Sequence, residues 1–107
     1  MTADVRTLQS ADPVSELRPD GSTVTAVPAS VSSVTLAASN SLRRGLQIFN
    51  DSTAVLYVKH GTTASTASYT VKMIAGAFYE IPAPVYTGRV DGIWDAVNGN
   101  AMVTENS

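Results

Sequence analysis

Cysteine is absent from this 107-residue chain, histidine and tryptophan occur once each, and charged residues make up only 15 %. Without cysteine there are no disulfides and no thiolate metal sites, and the redox compartment stays open. With His60 as the only histidine, a multi-histidine metal cluster cannot form, and any catalytic triad would depend on that one residue. No apolar run approaches the roughly 18 residues needed to span a bilayer. The first residues, MTADVRTLQSADPVSEL, lack the basic start and apolar stretch of a signal peptide, so synthesis in a cytoplasm is expected. Net charge is −2, and the seven basic residues are scattered apart from Arg43-Arg44. A nucleic-acid binder would carry a basic stripe or patch, so neither nucleic acid nor a membrane is expected as a partner. As strand neighbours, Arg43 and Arg44 are expected to point to opposite faces of a solvated strand end.

What the chain does have falls into two parts. Residues 1–22 carry four acids (Asp4, Asp12, Glu16, Asp20) and no aromatic residue, which is too little apolar surface to fold alone. Asp12-Pro13 has the chemistry to cap a single helical turn, and Pro19-Asp20-Gly21 is a turn signal. This segment reads as an extended arm with a reach of about 75 Å at most. Its apolar side chains Val5, Leu8, Val14 and Leu17 are the candidate partner-binding residues.

Residues 23–107 read as one β-domain. Alternation of period two marks strands at 23–27, 31–37, 44–50, 54–59, 69–74, 78–81, 86–95 and 100–105. Between them stand Pro28, Ser39-Asn40-Ser41, Asn50-Asp51-Ser52, the loop 60–68, Ala75-Gly76, Pro82-Ala83-Pro84 and Asn98-Gly99. Leu46 and Ile48 share one face, as do Ala54, Leu56 and Val58, and again Tyr69, Val71 and Met73. No stretch holds helical periodicity over three turns. The fold class expected is all-β, an antiparallel sandwich or barrel of about eight short strands. Residues 86–95 and 100–105 are expected to form a hairpin closed at Asn98-Gly99, with Gly99 at positive φ and Trp94 buried. Gly88 and Gly92 leave room for a neighbouring strand or ring to approach closely.

Catalytic chemistry finds little support. Asp91 and Asp95, four strand residues apart, would sit about 13 Å from each other, beyond either glycosidase spacing. No phosphate-cradling loop, nucleophile elbow or calcium-loop spacing occurs. His60 reads as an exposed turn residue whose replacement by alanine should leave stability close to wild type. Asn50-Asp51-Ser52 fits a glycosylation sequon but reads as turn chemistry. Tyr57, Tyr69, Phe78, Tyr79, Tyr86 and Trp94 have the makings of a sugar-stacking platform, although strand aromatics more often pack a core or anchor a protein partner. No enzymatic activity, cofactor or metal is expected.

The runs GLQIFNDSTAVLYVKHG, YTVKM, GAFYEIP, YTGRVDGIW and GNAMVTE, spanning Gly45 to Glu105, resemble small virion structural proteins of tailed bacteriophages. The resemblance implies a β-sandwich module on the outer surface of the head, in the manner of a capsid decoration protein. It would bind the major capsid protein and copies of itself, a trimer being among the arrangements admitted. The alternatives are a head-fibre or tail module that binds a receptor or glycan, and a tail or connector component. The motifs are strand and turn signatures, and no functional residue carries over with them.

Overall fold

The computed structural model of the chain describes residues 19–107. The arm residues Val5, Leu8, Val14 and Leu17, and the helical turn expected after Asp12, lie outside the described residues. Among the described residues eight strands form: β1 (Ser22–Pro28), β2 (Val34–Ala37), β3 (Gly45–Asp51), β4 (Leu56–His60), β5 (Val71–Met73), β6 (Phe78–Glu80), β7 (Val90–Trp94) and β8 (Asn100–Asn106). They make two four-stranded antiparallel sheets, ordered β1-β8-β3-β6 and β2-β7-β4-β5. All eight expected strands are present. Among the described residues no helix is long and apolar enough to cross a membrane.

The alternation expected from the sequence supplies the core. Leu46, Ile48, Ala101 and Val103 of the first sheet face Leu36, Leu56, Val58, Met73, Val90 and Trp94 of the second, and all are buried. Gly92 is the point of closest approach within that core. A Cβ there would lie 2.8 Å from Leu36 Cδ1 and 3.1 Å from Leu56 Cδ1, closer than packed carbon atoms tolerate.

The expected terminal hairpin is not formed. β7 pairs with β2 and β4, whereas β8 pairs with β1 and β3, so the two strands lie in opposite sheets. Residues 95–99 carry the chain across the sandwich. The apolar faces of both strands are buried as expected, but they meet across the core instead of side by side. Only the β4–β5 connection stays within one sheet. The crossovers β1–β2, β3–β4, β5–β6 and β7–β8 gather at one end. Connections β2–β3, β4–β5 and β6–β7 occupy the other, together with Gly21 and Ser107, whose backbones exchange hydrogen bonds of 2.8 and 3.0 Å.

Gly99 does adopt positive φ (+70°), within a crossover instead of a hairpin turn. A Cβ at this position would collide with the Asp51 carbonyl oxygen and lie 2.7 Å from Ser52 Cα. Gly99→Val should therefore lower stability by roughly 2 kcal/mol or more, combining backbone strain with a clash against fixed main chain. Chemical denaturation would measure it; an unchanged midpoint would show that the crossover yields freely.

Candidate interaction surface

The outward face of the first sheet carries an apolar row. In β3 the even-numbered residues point inward, leaving Gln47, Phe49 and Asp51 outward. Register places Phe49 opposite Phe78 on one side and Met102 on the other, and Met102 opposite Ala26. Ala26, Met102, Phe49 and Phe78 thus form one line across all four strands. Phe78 is 62 % exposed and Phe49 39 %, with Val24 exposed nearby on β1. The next row on this face, Val24, Thr104, Gln47 and Glu80, is mainly polar.

The outward face of the second sheet is covered only in part, since Thr35, Lys72 and the neighbouring Tyr69 stay exposed. The loop of residues 61–70 folds back over it and buries Ala64, whose N–H donates to Ser33 Oγ at 3.0 Å. Lys59 Nζ holds the same loop, donating to Thr63 O at 3.3 Å and to Ser68 Oγ at 2.8 Å. Beneath lies Asp91, buried and paired with Arg89 Nε at 2.7 Å. Asp95 is engaged elsewhere, accepting from the Val55 N–H at 3.0 Å.

Beside the apolar face, at the end that holds Gly21 and Ser107, a groove of about 1010 Å³ opens between residues 41–45 and residues 80–85. Leu42, Ile81, Pro82, Pro84 and Val85 line it, with Arg44 and Glu80 as its charged members. Arg43, at its base, corrects the expectation of a solvated arginine pair: its side chain is fully buried. Nε donates to Glu105 Oε2 at 2.7 Å, and the remaining nitrogens donate to the carbonyls of Ala38, Tyr86 and Gly88. Arg44 alone of the two is exposed.

His60 is likewise not a solvated turn residue. It closes β4 half-buried, its ring stacked on Tyr86 at 5.2 Å between centroids, with Nε2 3.0 Å from Tyr79 Oη. Burial, aided by the Arg43 charge, lowers the His60 pKa from its usual 6.5, and burial raises that of Tyr79. Both shifts favour a neutral imidazole accepting from a phenol, a contact that joins edge strand β6 to the opposite sheet. The unfolded chain takes up a proton at His60 more readily than the folded one does. Stability is therefore full above the ordinary histidine pKa and falls as pH drops below it. His60→Gln should flatten that part of the stability–pH curve; a variant with the same slope as wild type would show that His60 does not cause it.

The six aromatic residues considered for a sugar platform separate. Tyr57 and Tyr69 meet edge-on at 5.0 Å, Phe78 lies on the bare outer face, Tyr79 and Tyr86 contact His60, and Trp94 is in the core. Among the described residues no group of three or more His, Asp or Glu side chains gathers to hold a metal. Sequence reasoning missed Phe49 and Met102. The available signal was an aromatic on the face of residues 44–50 opposite Leu46 and Ile48. Comparison of the chain with protein-family models, with curated proteins and with solved structures finds no match.

Proposed function

We infer that this chain is a non-enzymatic virion structural protein of a tailed bacteriophage, which decorates the outer surface of the head and reinforces it. The observation that carries the reading is the bare apolar row Ala26–Met102–Phe49–Phe78. Part of one sheet is roofed by its own loop, while the other sets two exposed aromatic rings side by side on adjacent strands. Exposed aromatics within an apolar line and beside a polar row suit anchors for a protein partner. The resemblance of residues 45–105 to phage virion proteins supplies the kind of partner, the major capsid protein. The arm, through Val5, Leu8, Val14 and Leu17, would add attachment, and repetition over the capsid would supply avidity.

The test is co-sedimentation with purified capsids that lack the protein. Wild type should bind, and Phe49→Ser/Phe78→Ser should bind at least about tenfold more weakly, the loss of one modest hot spot. Both side chains face solvent, so the melting curve should change little. Capsid binding equal to wild type would remove this face from the interface.

A further inference from the structure

We propose that β1 is a pairing edge through which two copies of this chain associate about a two-fold axis at Thr25, joining their first sheets into one continuous sheet. Among the described residues four strands form sheet edges, and three of them are poor templates. β5 and β6 have three residues each, and β2 has four with a register shift between Thr35 and Ala37. β1 has seven residues in regular register with β8, carries no charge, and is exposed throughout Ser22–Ala26. Edge strands that avoid pairing use charge, irregularity or shortness. β1 has none of these, and its one proline stands at the last position.

The direction of the backbone groups sets the register. Gly21 and Ser107 exchange both hydrogen bonds, and the Ala29 N–H donates to Gly99 O. Odd-numbered residues of β1 therefore bond to β8, and the N–H and C=O of Ser22, Val24 and Ala26 point away from the sheet, with the C=O of Pro28. Antiparallel pairing centred on Thr25 sets Val24 against the partner's Ala26 and Ser22 against the partner's Pro28. Every outward N–H then meets a carbonyl, and the N–H that Pro28 lacks falls at the end of the ladder. Val24 and Ala26 make an apolar contact on the outer face, and no charge opposes another. This centre alone engages all seven residues of both strands.

At that centre the two copies of Thr25 form a non-hydrogen-bonded pair, with Cα atoms about 4.5 Å apart, inside the range that a disulfide bridges. The chain has no cysteine, so an introduced one reports without background. The experiment compares full-length Thr25→Cys, Val24→Cys and Val97→Cys under mild oxidation on non-reducing gels; Val97, in the β7–β8 crossover, is a solvent-exposed control outside the paired strand. Thr25→Cys should shift to dimer mass many-fold faster than either of the others. In sedimentation, wild type should show a concentration-dependent dimer, not a trimer. Thr25→Lys should remain monomeric, and mixing it with Thr25→Glu should restore the dimer. Cross-linking of Thr25→Cys no faster than Val97→Cys would overturn the proposal. So would faster cross-linking of Val24→Cys, or a monomeric wild type at the highest soluble concentration. None of these measurements involves a capsid, so the outcome is independent of the function proposed above.

Discussion

Arg43→Met should lower the unfolding free energy by about 3 kcal/mol, because the acceptors of a buried guanidinium, Glu105 (28 % exposed) among them, lose their donor together. Methionine keeps most of the apolar stem but supplies none of the donors. Glu105 and the carbonyls of Ala38, Tyr86 and Gly88 would all lose their partner at once. Those acceptors belong to the β2–β3 connection, the β6–β7 connection and the end of β8, so the guanidinium ties one end of the sandwich together. Lysine at this position keeps the charge but not the planar fork that reaches several acceptors, and should recover only part of the loss. Denaturant titration at constant slope gives the difference directly. A loss under about 1 kcal/mol would mean that desolvation of Arg43 offsets nearly everything its bonds contribute.

Asn50→Leu should be destabilising to a similar degree, about 3 kcal/mol or more, because several buried polar groups are orphaned together. Asn50 is fully buried at the opposite end. Its Nδ2 donates to Ala54 O at 2.8 Å and to Met73 O and Ile74 O, each at 3.1 Å. Its Oδ1 accepts from Ser52 Oγ at 2.7 Å and from Trp94 Nε1 at 3.4 Å. One amide thereby holds the crossovers β3–β4 and β5–β6 and the last residue of β7. Leucine keeps the branching at Cγ but is larger, so the measured loss combines the orphaned hydrogen bonds with overpacking. Asn50→Asp separates the two halves of the amide: it keeps the acceptor for Ser52 and Trp94 but turns a carboxylate toward three carbonyls. Its stability should rise as pH falls and the carboxyl takes up a proton. A stability of Asn50→Asp that falls with acid as wild type does would count against this arrangement.

The two clasps were legible to different degrees. Asn50-Asp51-Ser52 reads as turn chemistry, and the Ser52 bond to Asn50 bears that out. The burial that makes Asn50 more than a turn residue comes from carbonyls 23 and 24 positions away. Arg43 looked like half of a solvated pair because nothing near it in the chain accepts its charge; Glu105 lies 62 residues further on. Phe49 was visible as an aromatic out of phase with Leu46 and Ile48. That it stands in line with Phe78 and Met102 follows only from strand register.

The sequence by itself determined that the chain is all-β, where its eight strands lie, and which side of each central strand is buried. Those properties are local: alternation selects a face, and Pro, Gly and Asn interrupt it at fixed places. Which strand lies beside which was decided only by the tertiary structure. The pattern of Val90, Gly92 and Trp94 followed by Ala101 and Val103 satisfies a hairpin and a sheet-to-sheet crossover equally well, since both bury the same faces. The choice rests on partners distant in sequence, with β7 fitting between β2 and β4 where Gly92 admits Leu36 and Leu56, and β8 between β1 and β3. Alternation says that an apolar face must be covered; only the assembled chain says what covers it.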